Sequence, residues 1–223
     1  MTLPEPAAVW RGVAAPARAE LRERASRFVA SLAPAADSAA ADAFAAAVAR
    51  ELFDATHHAR AQRILEPDAD EPLEFAADGG EPAGTAGRPI LRALGGAGLV
   101  NVVLIVSRWF GGTKLGRGGL ARAYGAAARA SIAQASLGRV RRLRRLDVRA
   151  DYADAGALSA AVSRLGARIE RVSPAEEYRA TLLVADERSA DLAGALAEAT
   201  GGRARVASGG RLLALEPAGR AAD

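Results

Sequence analysis

The 223 residues carry 30 Lys and Arg against 26 Asp and Glu, giving a formal net charge of +4 and a pI near 10.2; half are apolar and only 4% aromatic. The length suits one large domain or two small ones, with cores built from Leu, Val, Ile and Ala. There is no cysteine, which excludes a disulfide framework, a thiolate metal site and a cysteine nucleophile.

The first 28 residues lack the apolar segment of a secretory signal. The longest apolar run, Leu99 to Val106, contains Asn101 and is far too short to span a bilayer. A soluble, cytoplasmic protein with no membrane partner is expected. Arginine supplies 29 of the 30 cations, and Lys114 is the only lysine. The surplus leans toward anionic partners.

In chain order, residues 9–33 read as short strands, with Trp10, Val13, Leu21, Phe28, Val29 and Leu32 spaced among charges. Asp37 or Ser38 caps a helix whose stripe is Phe44, Val48 and Leu52. A short strand follows from about Ala59 to Leu65. Residues 64–87 hold seven acids and no Lys or Arg, with Pro67, Pro72 and Pro82. They read as a long acidic loop outside regular structure. Arg88-Pro89 opens a short helix that stops near Gly95-Gly96. The run Val102–Val106 is a buried strand, and Gly118 to Ser136 a helix.

After Gly138 the composition shifts, with Arg139, Arg141, Arg142, Arg144 and Arg145 crowding seven positions. Leu146, Val148 and Ala150 then alternate as a strand. Asp151 or Asp154 caps a helix with Leu158, Val162 and Leu165 on one face, closed by Gly166. Ile169 and Val172 mark another strand, which turns at Ser173-Pro174. Tyr178, Ala180, Leu182 and Val184 alternate in a third. Leu192 and Leu196 mark a second helix, and a last strand passes Val206. The order is βαββαβ, the ferredoxin-like pattern. The fold class expected is α+β in two domains, 1–138 and 139–215, with a disordered tail over 216–223.

Between the strand at 102–106 and the following helix lies a turn built from Gly111, Gly112, Gly116, Gly118 and Gly119, with Arg108, Lys114, Arg117 and Arg122 interleaved. Glycines let a backbone approach a ligand and expose its N–H groups, and a helix start adds partial positive charge. Trp109 and Phe110 precede the turn and could stack on bases. Neighbours on an extended segment face opposite ways, so one of the two is expected in the core.

The named nucleotide motifs fail. Lys114 is followed by Leu115, so no Walker A is present. Gly116-Arg117-Gly118-Gly119-Leu120-Ala121 matches G-x-G-x-x-A, but no acid stands about 20 residues on, where Ser136 to Arg139 lie. His57 and His58 are adjacent and point apart on a strand, which makes a poor metal site. Asp78 and Glu81 are candidates for acid/base or Mg²⁺ work or, alternatively, partners of nearby arginines, with Thr85 and Arg88 beside them. No catalytic residue, metal ligand or cofactor is assigned. Arg141, Arg142, Arg144 and Arg145 form a candidate second nucleic-acid patch, or a solvated strand face.

Several irregular motifs resemble the YigZ/IMPACT family, in its bacterial two-domain branch. They are Gly80-Glu81-Pro82 with Gly84 to Leu91, the strand led by Asn101-Val102, and Ser107 to Gly125. Ser26 to Phe28 and Asp54 to His57 fit as well, so the resemblance spans essentially the whole chain. It implies a first domain like that of a small-subunit ribosomal protein, as in domain IV of elongation factor G, and a second like domain V of that factor. It also implies a part in translational regulation, with RNA or the ribosome as partner.

Eukaryotic members act through protein partners, by an extra N-terminal domain that is not expected here. Where the family reads Asp-Asp-Gly-Glu-Pro this chain has Asp78-Gly79-Gly80-Glu81-Pro82, and after the Ala-Thr-His it departs at His58, Ala59 and Arg60. The function expected is a non-enzymatic, translation-associated module that binds RNA or the ribosome through the glycine-rich basic loop. Two alternatives stand beside it. One is an enzyme for a phosphorylated or nucleotide substrate held between the acidic and glycine loops, and the other is a protein-partner adaptor.

Overall fold

The computed structural model describes residues 10–173 and 175–217. The chain divides into two compact units, one reaching Val140 and rejoined from Leu215 on, the other Arg141–Ala214.

In the first unit a five-stranded antiparallel sheet runs in the order β2 (Ala17–Glu23), β3 (Ser26–Pro34), β6 (Val102–Trp109), β4 (His57–Ile64), β5 (Leu73–Ala77). Beside it β1 (Arg11–Val13) pairs with the start of β7 (Leu137–Ala150). The apolar run of β6 makes it the central strand, buried on both faces. Val102, Leu104 and Val106 point to one face with Phe28, Leu32, Ala59 and Ala61. There they meet α2 (Gly87–Gly96) and α3 (Gly116–Gln134) through Ile90, Leu94, Ala123 and Tyr124. Val103 and Ile105 point the other way, against Ala41 and Val48 of α1 (Ser38–Glu51). Of the two candidate caps for α1 it is Asp37 that acts, accepting from Ala40 N at 2.8 Å.

Two expectations need correction. The acidic stretch is not free of regular structure, because β5 lies inside it and pairs with β4 from Ile64↔Leu73 to Arg60↔Ala77. Arg63 holds Glu74 at 2.8 Å, and the Arg60 guanidinium sits 4.6 Å from the centre of the Phe75 ring. The ladder needs only backbone, so this edge strand forms although Leu73, Glu74 and Phe75 are all exposed. The expected tail also begins too early. Glu216 and Pro217 close β10 (Arg205–Pro217), and Leu215 and Glu216 pack on Gly138; residues 218–223 lie outside the described residues.

The second unit has the order β7, α4 (Ala155–Arg164), β8 (Arg168–Ser173), β9 (Tyr178–Ala185), α5 (Ser189–Ala199), β10. Its sheet runs β10-β7-β9-β8. Leu146, Val148, Tyr178, Ala180, Leu182 and Val184 pack against Leu158, Val162, Leu192 and Leu196. Gly166, at φ +65°, follows α4 as expected. Of the two candidates Asp154 stands at the N-cap position of that helix, but its side chain makes no capping bond there. A 3-10 turn, Tyr152–Asp154, intervenes, and both carboxylate oxygens of Asp154 are held by Arg203, at 2.6 and 3.1 Å.

Candidate functional site

Strand β6 delivers Arg108 and Trp109 to its end, the chain turns over residues 110–115, and α3 begins. The turn is possible because Gly112 and Gly116 take φ of +85° and +69°, where a side chain is strained. Neither has a neighbour within 4 Å of where a Cβ would stand. Gly111 is different. A Cβ there would overlap the backbone of Ala25, so this glycine fixes the turn against the β2–β3 hairpin.

The start of α3 has no side-chain cap and no acid in its first turn. Its leading N–H groups therefore lack a side-chain acceptor. Around them Lys114, Arg117, Gly118 and Arg122 are exposed, with Gly119 half-buried. Arg117 donates to Ala83 O at 2.8 Å, and Arg24 donates to Lys114 O at 3.4 Å. The side chains of Lys114 and Arg122 have no hydrogen-bond or ion-pair partner among the described residues.

Arg108 does not belong to this open rim. It is buried, with Nη1 on Glu81 Oε1 at 2.7 Å and Nη2 on Ser26 Oγ at 3.1 Å. Its guanidinium lies 5.5 Å from the centres of both the Phe28 and Phe110 rings. The register explains the burial. Arg108 stands opposite Phe28 on one side and His57 on the other, on the face that α2 and α3 cover. Trp109 points to the opposite face, where the Arg27 guanidinium covers its ring at 4.5 Å. Of the aromatic pair only Phe110, 47% exposed, is open enough to meet a ligand.

Glu81 is the centre of a buried polar cluster. Oε1 accepts from Arg108 and from the Tyr124 hydroxyl at 2.7 Å, while His57 Nε2 stands 4.0 Å away. Burial, reinforced by the bond to Glu81, pushes the Tyr124 phenol above its ordinary range. The Tyr124 ring meets Phe28 edge-on at 5.2 Å. Ser26, Glu81, Arg108 and Tyr124 thus converge from three separated motifs, the last two from opposite ends of the same one. Sequence reasoning missed Tyr124 and Ser26 as partners in this cluster. The signal available was that each lies inside one of the irregular motifs.

Asp78 is committed elsewhere in the same loop. Its Oδ2 accepts from Gly84 N, and Oδ1 from Ala86 N and Gly87 N, all within 2.9 Å. It caps α2 from nine residues upstream. Burial alone would raise this carboxyl, but the three backbone donors and the Arg117 charge outweigh it and hold it below its ordinary value. Thr85 is buried, its hydroxyl on Pro82 O at 2.6 Å, and Arg88 is exposed. With these bonds, neither Asp78 nor Glu81 is a free acid/base or Mg²⁺ ligand. The histidines face apart, His57 Nδ1 to Gly79 O at 3.1 Å and His58 Nδ1 to Ser107 Oγ at 2.8 Å.

The second arginine patch is largely neutralised within its own unit. Arg141 meets Glu187 at 3.2 Å, Arg144 meets Asp186 at 2.6 Å, and Arg145 meets Glu170 at 2.9 Å. Arg142 is half-buried. The strand pairing brings acids from β8 and from the turn before α5 alongside the arginine run. It is a paired strand face, not an array of free cations.

Residues 24–132 match the Impact N-terminal domain family. The chain is 38% identical over 143 residues to an IMPACT family member, YigZ, of Escherichia coli (strain K12), covering 64% of this chain and 70% of that protein. It is 49% identical over 110 residues to an IMPACT family member of Thermus thermophilus, covering 49% of this chain and 56% of that one. A further relative, YvyE of Bacillus subtilis (strain 168), is 41% identical, and the match spans 45% of its length. A solved crystal structure of a hypothetical protein superposes with a TM-score of 0.64 at 29% identity, covering 88% of this chain and 95% of that one. No described helix is long and apolar enough to cross a membrane.

Proposed function

The chain belongs to the IMPACT family, and on that footing we propose that it is a cytoplasmic, translation-associated regulatory protein that binds RNA or the ribosome through the glycine loop and the start of α3. Family membership supports the regulatory role in translation. The observation that carries the binding is the set of exposed cations, Lys114, Arg117 and Arg122, around an uncapped, acid-free helix start whose glycines at 112 and 116 face open space. Backbone donors and full charges converge there on a spot that a phosphate group would complete.

The order of strands β10-β7-β9-β8 supports reading the second unit as ferredoxin-like, akin to domain V of elongation factor G. We read the first unit as akin to domain IV of that factor. The reading as an enzyme loses its acid and base, because Asp78 and Glu81 are bound to backbone and to Arg108.

The test is equilibrium binding of fluorescently labelled ribosomal RNA fragments and of purified ribosomal subunits across a salt series. Affinity should fall steeply with salt, and Lys114→Ala with Arg117→Ala should make the salt dependence shallower by about 2 in log–log slope. Binding indifferent to salt and to both substitutions would overturn the proposal.

A further inference from the structure

From Pro82 to Leu146 the sequence contains no Asp or Glu. Both α2 and α3 fall within that stretch, so the outer surface of the layer they form has cations and no acids of its own. Arg88 and Arg92 stand on α2, and Arg122 and Arg129 on α3. All four are exposed, and none has a side-chain partner among the described residues.

A groove of about 430 Å³ runs between the two helices. Its floor is small: Ala93, Gly96 and Ala97 on one side, Ala121, Gly125 and Ala133 on the other, with Arg92 and Arg129 at its edges. The arginines of α3 share a local device. A helical side chain leans toward the N-terminus, over the residue one turn back. One turn before Arg122 and Arg129 stand Gly118 and Gly125. A Cβ at Gly125 would lie 3.2 Å from Arg129 Nη1, and one at Gly118 would lie 3.5 Å from Arg122 Nη1. The glycines let each guanidinium lie low against the helix, about 10 Å apart along its axis.

The chemistry of this face selects its partner. None of the large exposed apolar side chains of the described residues lies on α2 or α3, so the face lacks the anchors that a protein interface is built on. It also lacks an aromatic ring on which an unpaired base could stack. What it offers is fixed positive charge along a shallow groove, the means by which duplex RNA is held through its phosphates and shape.

We infer that the α2–α3 groove binds the phosphate backbone of double-helical RNA, extending the site at the glycine loop across the whole helical layer. This rests on the RNA-binding reading but names the structural class of RNA and adds residues beyond the loop, with Arg122 common to both.

The experiment measures anisotropy of a labelled 20-base-pair RNA duplex and of one of its single strands, with the full chain. Wild type is compared with Arg92→Gln/Arg129→Gln, with the charge-reversed Arg92→Glu/Arg129→Glu, and with Lys114→Ala/Arg117→Ala. Thermal melts confirm folding; the exposed glutamine pair is not expected to perturb it. Wild type should prefer the duplex regardless of its sequence. The glutamine pair should lose roughly tenfold and flatten the log–log salt slope by about 2, with a larger loss on charge reversal. Duplex binding unchanged in both groove variants but lost in the loop variant would overturn this inference and leave the loop reading standing. A wild type that binds no RNA overturns both. Competition by poly-glutamate as effective as by unlabelled duplex, at equal charge, would overturn the duplex assignment in favour of an acidic protein partner.

Discussion

Substituting Glu81 by Ala removes the shared acceptor of the buried cluster. The side chains of Glu81 and Arg108 are only 3% and 5% exposed, so water cannot replace the lost carboxylate. Arg108 keeps Ser26 Oγ at 3.1 Å and its two ring contacts, but no neutralising charge, and the Tyr124 hydroxyl loses its acceptor. Breaking a buried pair by deleting one member costs about 3–5 kcal/mol, most of it the penalty of the charge left behind. For a chain of this size that corresponds to a fall in Tm of about 10 °C. The assay is urea unfolding followed by circular dichroism, with the m-value checked for constancy. Arg108→Met combined with Glu81→Gln should recover a substantial part of the loss, because no unpaired charge then remains. A cost below about 1 kcal/mol for Glu81→Ala at unchanged m would refute the reasoning.

The other expectations concern the same loops. Because Asp78 is held below its ordinary carboxylate value, its contribution to stability is present above about pH 4 and is lost as pH falls through the folded-state value. Asp78→Asn should cost about 1–2 kcal/mol at pH 7, and the two proteins should converge in strongly acidic buffer. A gap independent of pH would contradict this in a pH series of melts. Gly111→Ala should cost about 2–4 kcal/mol, since the methyl would overlap the Ala25 backbone. Gly112→Ala meets open space and should cost only the strain of its positive φ, about 1–2 kcal/mol, so equal melting temperatures for the two variants would contradict the distinction.

Much of the fold was legible because its signals are local. Val102–Val106 announces a strand buried on both faces, Asp37 a helix start, and Gly166 a helix end. Strand β5 was not, because it is an edge strand without an alternating face. Proline and acids dominate its surroundings, and its partner β4 supplies the ladder from elsewhere. The glycine turn was legible as a basic helix start, but the fate of each charge was not. Arg108 is four residues from exposed Gly112 yet buried, because burial depends on which face of β6 it occupies and on Tyr124 arriving from α3. The pairing of Arg141, Arg144 and Arg145 likewise needed the strand register, which no property of the run itself reveals.

The contact between Gly111 and Ala25 reaches beyond stability. With Gly111 N also 3.4 Å from Ser26 Oγ, the first half of the turn is clamped to a hairpin, and positions without a packing neighbour begin only at Gly112. Lys114 therefore sits on a short arm hinged close to a solid mount, with the helix that carries Arg117 as its other support. Such an arm has little configurational freedom left to surrender when a ligand arrives, so its affinity is set by charge and fit more than by ordering. Lengthening the arm by one or two glycines beyond Gly112 would keep every charge and lose that advantage.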